Sequence, residues 1–312
     1  MKTFIKITEI WVPDKERTRL ELSGGLYGPF REFRMLSQAK RFEYDEGLPG
    51  KAWALGHPLV LTEFDHSYFQ RTEAAKKIGL TSGIALPLFS GQFLMAVVVF
   101  LCGDDEEHAG AIEAWGTTAE TVYELGLIDG YYGTLIDFEW ISKRIKMMRG
   151  FGLPGRTWEA RRPLLIENLG SSESFVRPKE ALQAGITTGL GIPCLGGSNE
   201  VYVMTFLSAK KTPIAHRIEI WVPNESRERL VFQSGYCDQD SDLHEIYAKT
   251  SIARGHGLLG RAWRTGIPSV FANVRQHSLS WDEFARPITF DSVLAMPVID
   301  GGRLTAVVGF FI

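Results

Sequence analysis

Alternating apolar positions open the chain. In "IKITEIWVPDKERTRLELSGG" they flank a Pro-Asp turn, and in "HRIEIWVPNESRERLVFQSGY" a Pro-Asn turn, so each stretch predicts a β-hairpin with one buried face. Three further segments, "SGIALPLFSGQFLMAVVVFL", "TGLGIPCLGGSNEVYVMTFL" and "SVLAMPVIDGGRLTAVVGFF", place two apolar runs around Ser-Gly, Gly-Gly or Asp-Gly-Gly and predict hairpins as well. Between the two kinds of hairpin the pattern predicts a helical segment, a glycine-rich phrase, a short helix carrying a tryptophan, and a proline-led strand ("PLVLTEF", "PLLIENL", "PSVFANV"). Such a unit is an α+β domain with a mainly antiparallel five-stranded sheet and helices on one face.

The unit is written three times. "GLPGKAW", "GLPGRTW" and "GLLGRAW" begin at Gly47, Gly152 and Gly257, 105 residues apart each time, and Pro58, Pro163 and Pro268 keep the same spacing. Trp11, Trp115 and Trp221 fall 104 and 106 apart, and Phe100, Phe206 and Phe310 fall 106 and 104 apart. The expected boundaries are residues 1–106, 107–210 and 211–312, joined by short linkers, with no output domain beyond the three units. The last strand of each unit, as in "MAVVVFL", is apolar on both faces. Its second face therefore needs cover from neighbouring repeats or another subunit.

Composition narrows the class. The 312 residues are 45% hydrophobic and 23% charged with a net charge of -3, ordinary values for a globular chain. That balance argues against nucleic acid or an anionic membrane surface as the main partner. The longest apolar run, Phe93 to Cys102, is strand-length and far short of the roughly 20 residues that span a bilayer. The N-terminus reads as a strand, not a secretory signal. Three cysteines without Cys-x-x-Cys spacing point to a reducing, cytoplasmic setting.

A hairpin with Ile-Trp-Val-Pro, then Gly-Leu-Pro-Gly-(Lys/Arg)-x-Trp, a proline-led strand, a loop, and a Ser-Gly-x-x-x-x-Pro-Leu strand before an apolar final strand resembles the GAF domain. The third unit and the first match from end to end; the second has lost the Trp-Val-Pro turn and carries "EARRP" where the others have "ALGHP" and "RTGIP". The resemblance implies a sensory or regulatory module with a small-molecule pocket between one sheet face and the elements around its third strand. The segment after that strand lies over the pocket in the family.

The candidate site residues come from there. Trp53, Trp158 and Trp263 either wall a pocket or fill a core. His66 and His277 follow Gly47 and Gly257 by 19 and 20 residues, Phe69-Gln70-Arg71 aligns with Phe175-Val176-Arg177, and Trp281 lies in the third copy. Histidine, aromatic and arginine side chains over a cavity suit a small anionic or aromatic ligand; the alternative is a solvated lid with ordinary surface charges. The glycine phrase matches neither a P-loop nor a dinucleotide fingerprint and reads as a hinge. "EWISKRIKMMRGF" at 139–151 reads as an amphipathic helix with Lys143, Arg144, Lys146 and Arg149 on its polar side.

Catalysis finds little support. Cys102, Cys194 and Cys237 stand one per unit at non-equivalent positions, unlike the clustered thiols of the GAF-like free methionine-sulfoxide reductases. No haem, bilin or metal signature is present. The expected function is non-catalytic sensing or regulation through a small molecule, a signalling partner protein or a homo-oligomer. The alternatives are a scaffold whose pockets are filled by its own side chains and a thiol-dependent reductase.

Overall fold

Each repeat follows one order of elements. In the first, β1 (Ile5–Pro13) and β2 (Arg19–Leu26) form the opening hairpin, followed by α1 (Arg31–Ala39), β3 (Arg41–Glu43), α2 (Gly47–Leu55), β4 (Leu59–Leu61), α3 (Thr72–Lys77), β5 (Ser82–Ser90) and β6 (Phe93–Cys102). The second runs β7 (Gly110–Gly116), β8 (Glu124–Tyr131), α4 (Ile136–Ser142), β9 (Lys146–Met148), α5 (Gly152–Ala160), β10 (Leu164–Glu167), α6 (Pro178–Gln183), β11 (Ile186–Cys194) and β12 (Tyr202–Ala209). The third runs β13 (Arg217–Pro223), β14 (Arg229–Cys237), α7 (Leu243–Tyr247), β15 (Ser251–Ala253), α8 (Gly257–Thr265), β16 (Ser269–Ala272), β17 (Ser292–Asp300) and β18 (Arg303–Phe311). The computed structural model describes residues 3, 5–103, 110–117, 122–196, 200–238, 242–272 and 290–312.

Every sheet has six strands, not the expected five, in the order β3-β2-β1-β6-β5-β4 and its two equivalents. The extra strand is β3, β9 or β15, three residues long and too short to show alternation. It also corrects the basic helix expected at 139–151. Helix α4 ends at Ser142, and the chain turns so that Met147, 1% exposed, pairs with Leu125 from an edge strand.

The glycine phrase owes its form to this extra strand. Gly47, Gly152 and Gly257 start their helices at φ of 60°, 65° and 57°, a region that disfavours a side chain. Three residues on, a Cβ at Gly50, Gly155 or Gly260 would collide with the carbonyl oxygen of Glu43, Met148 or Ala253 in the short strand alongside. The phrase recurs because each helix must lie backbone to backbone against its strand.

Alternation in the last strand divides two cores. Val97, Val99 and Leu101 of β6 face outward, under helices α1 to α3, with Trp11, Phe42, Leu48 and Phe69. Ala96, Val98 and Phe100 face inward and share one cluster with Ile112, Leu190, Met204 and Phe206 of the second repeat and Ile218, Leu294, Val308 and Phe310 of the third. Phe100 meets Phe206 edge-on at 5.5 Å between centroids, and Phe206 meets Phe310 at 6.2 Å. Each buried phenylalanine contributes about 1.5–3 kcal/mol. The joints close in a ring: β4 packs on β8, β10 on β14, and β16 on β2. The inward face of every sheet is thus buried by the other two repeats. No helix among the described residues is long and apolar enough to cross a membrane.

Candidate functional site

A glutamate stands two residues before the first-strand tryptophan in each repeat, at Glu9, Glu113 and Glu219, and its side chain points to the same outer face. All three carboxylates are 0% exposed. In repeat 1, Glu9 accepts from the Trp11 indole at 3.0 Å, the Tyr27 hydroxyl at 3.1 Å and the Ser37 hydroxyl at 2.8 Å. Arg71 completes the cluster with a two-pronged ion pair: one guanidinium nitrogen donates to Glu9 Oε2 at 2.8 Å and the other to Oε1.

Repeat 2 builds the same cluster. Arg177 donates to the two Glu113 oxygens at 2.6 and 2.9 Å, and Trp115, Tyr132 and Thr205 donate to Glu113 at 3.0, 3.0 and 2.8 Å. Both arginines lie over aromatic rings, Arg71 over Phe33 at 4.8 Å and Arg177 over Phe138 at 4.4 Å.

Repeat 3 differs in its hydroxyl donors. Cys237 stands where the others have Tyr27 and Tyr132, and Tyr247 on α7 stands where they have Ser37 and Ser142, so a hydroxyl still reaches the carboxylate, at 2.7 Å, from the helix side. Among the described residues the cation beside Glu219 is Arg217, two residues away on the same strand and 2.9 Å distant; the counterpart of the segment carrying Arg71 and Arg177 lies outside the described residues. The electrostatics follow. Burial would raise all three carboxyls, but the charge and hydrogen bonds of Arg71, with Ser37 and Trp11, hold Glu9 below its ordinary value, and Arg177, Thr205 and Trp115 do the same for Glu113. At Glu219 burial prevails over Arg217, Trp221 and Tyr247, and its pKa is raised.

The sequence candidates fall in separate places. Phe69 and Arg71 come together, as do Phe175 and Arg177, but as core side chains: the guanidinium groups face buried carboxylates rather than an open cavity. Trp53 is half-buried, edge-on to Tyr44 at 5.3 Å, and Trp158 is half-buried against the Trp115 cluster. Trp263 is buried, with Arg254 over its ring at 5.9 Å. His66 is exposed, in a left-handed turn at φ 53°. His277 and Trp281 lie outside the described residues. The glutamates escaped the sequence reading, although Glu-x-Trp recurs in "TEIW", "IEAW" and "IEIW" and a carboxylate amid an apolar strand was the available signal.

Burial raises the thiols of Cys102 and Cys194, the latter to about 12, so both stay protonated at neutral pH. Cys237 is buried too. Among the described residues no three His, Cys, Asp or Glu side chains are grouped to hold a metal ion.

Residues 215–311 match the family model described as GAF domain. Similar solved structures include the free methionine-R-sulfoxide reductase of Neisseria meningitidis in complex with its substrate, with 20% identity over 31% of this chain and 52% of that one and a TM-score of 0.26. An A. aeolicus GAF domain in an inactive state gives 23% identity over 33% and 61% of the two chains, with a TM-score of 0.26. The GAF domain of an Acinetobacter phosphoenolpyruvate-protein phosphotransferase gives 14% over 31% and 55%, with a TM-score of 0.27. This chain thus spans between half and two thirds of the length of those proteins. No curated protein matches it.

Proposed function

We propose that this chain of three tandem GAF-like repeats is a non-catalytic regulatory protein in which repeats 1 and 2 form a rigid frame and repeat 3 reads a small molecule or a partner protein. At the family level the GAF fold is that of a sensory or regulatory module. The carrying observation is the pair of fully buried ion pairs, Glu9–Arg71 and Glu113–Arg177. Their arginines come from the segments after β4 and β10, which the family resemblance puts over a ligand pocket, and they turn inward onto buried carboxylates instead. Among the described residues Glu219 has Arg217 as its cation and a raised pKa, where Glu9 and Glu113 have lowered ones, and elements that respond to ligands are drawn from the less stable parts of a fold.

The same burial favours a second reading for repeats 1 and 2 alone, as scaffold modules filled by their own side chains. A ligand acts on such a protein only through unequal affinity for two arrangements of it. Native mass spectrometry of the freshly purified chain beside its denatured mass tests the proposal, followed by thermal shift with any retained compound. The expected occupant stabilises wild type and the Glu9→Gln/Arg71→Met double variant alike and loses its effect with Trp263→Phe. An occupant whose effect vanishes when the Glu9 or Glu113 cluster is altered would overturn it.

A further inference from the structure

A cleft of about 380 Å³ lies at the joint between repeats 3 and 1, lined by Arg227, Arg254, Arg264 and Arg303 around Trp263, with Ser90 and Met95 of repeat 1 on its far wall. No acidic side chain is among these lining residues, and none of the four arginines is paired with a carboxylate among the described residues. Arg227 is anchored by donating to the Leu304 carbonyl at 2.7 Å.

Repeat 1 keeps one of the four arginines, Arg17 at the position of Arg227, and repeat 2 has Arg149 at the position of Arg254; the other positions differ. In repeat 1 the positions of Arg254, Arg264 and Arg303 hold Tyr44, Ala54 and Phe93, and in repeat 2 the position of Arg264 holds Glu159. The neighbouring joint shows what such an arginine takes. There Arg161, in the turn after α5, donates twice to the Asp300 carboxylate, both at 2.6 Å. Asp300 sits at the tip of the last hairpin of repeat 3, and its equivalent in repeat 1 is Ser90, which faces the arginine cleft. One joint has its own carboxylate; the other has the cations and a hydroxyl in its place.

We infer that the cleft between repeats 3 and 1 binds a small multivalent oxyanion, an organic phosphate or polycarboxylate, which supplies the missing negative charge and ties α8 to the last hairpin of repeat 1. Guanidinium groups match planar and tetrahedral oxyanions with paired hydrogen bonds, and the volume lies within the range of small-molecule sites. The binding stands on the cleft itself; only its regulatory consequence rests on the function proposed above.

Isothermal titration of the full chain with inorganic pyrophosphate and with citrate, at constant ionic strength and against a chloride control, tests it. The expected result is saturable binding of one anion per chain. A higher affinity for pyrophosphate assigns a phosphorylated ligand; a higher affinity for citrate assigns a polycarboxylate. The variant Arg254→Tyr/Arg264→Ala/Arg303→Phe restores residues that repeat 1 already accommodates, so it folds, and it binds at least about tenfold more weakly. Ser90→Asp installs the carboxylate of the other joint and weakens binding as much. Failure of both anions to bind above chloride, or equal binding by wild type and both variants, would overturn the site. If binding holds but leaves hydrogen exchange in α8 unchanged, only the regulatory reading fails.

Discussion

Arg71 reaches across 62 residues of chain to hold both carboxylate oxygens of Glu9 in the interior of repeat 1, and Arg177 repeats the grip on Glu113 in repeat 2. A buried ion pair of this kind is a weak source of net stability, because both charges have left water. It is a strong constraint nonetheless, since removing one partner strands the other.

The first prediction concerns that constraint. Arg71→Met or Arg177→Met leaves an uncompensated buried carboxylate and costs about 3–5 kcal/mol. The double variants Glu9→Gln/Arg71→Met and Glu113→Gln/Arg177→Met regain most of the loss. Urea unfolding of the four proteins measures it; single variants as stable as wild type would show that the pairs do not hold the frame.

The carboxylates also predict opposite pH dependences. Glu9 and Glu113 are stronger acids folded than unfolded, so the stability they contribute is present above the ordinary glutamate value of 4.5 and is lost as pH falls through their folded values. Glu219 is a weaker acid folded than unfolded. Its contribution is full below 4.5 and is lost as pH rises through its folded value. Relative to wild type, Glu219→Gln therefore gains thermal stability between pH 4 and pH 7, whereas Glu9→Gln loses it. Melting curves across that window, with both variants shifting in the same direction, would contradict the assignment.

Close backbone approach sets the cost of altering the repeated phrase. Gly50→Ala, Gly155→Ala and Gly260→Ala each force the helix off its short strand and cost about 1–3 kcal/mol. At Gly28, where φ is 51° but a Cβ meets nothing, the loss is only the smaller backbone strain. Equal losses at Gly28 and Gly50 in chemical denaturation would refute the packing explanation.

The shared core makes the three repeats unfold together. Phe206, 1% exposed and between Phe100 and Phe310, touches all three repeats; Phe206→Ala costs about 3–5 kcal/mol. Calorimetry of wild type should give one cooperative transition. In contrast, Asp300→Ala removes a pair whose arginine is half exposed and costs about 1 kcal/mol or less.

The repeats, both hairpins and the double-sided last strand were legible because spacing and alternation survive in any single chain: Gly47, Gly152 and Gly257 mark the period, and Val98 and Phe100 announce a second buried face. The short strands were not legible, because Arg41-Phe42-Glu43 is too brief to carry a pattern. The sequence aligned Arg71 with Arg177, but an arginine beside an aromatic looks the same in sequence whether it waits for a ligand or closes on a carboxylate. Only the fold brings Glu9 to Arg71. In repeat 3 the exchange of Tyr27 and Ser37 for Cys237 and Tyr247 is likewise visible only once strand and helix face one carboxylate.

Native-state hydrogen exchange of the intact chain tests the division between frame and responsive repeat most directly, by comparing α8 and β15 of repeat 3 with α2 and β3 of repeat 1 and α5 and β9 of repeat 2. The account predicts that α8 and β15 exchange through local opening while their counterparts exchange only on global unfolding. Equal protection in all three, or earlier opening of α2 or α5, would contradict it.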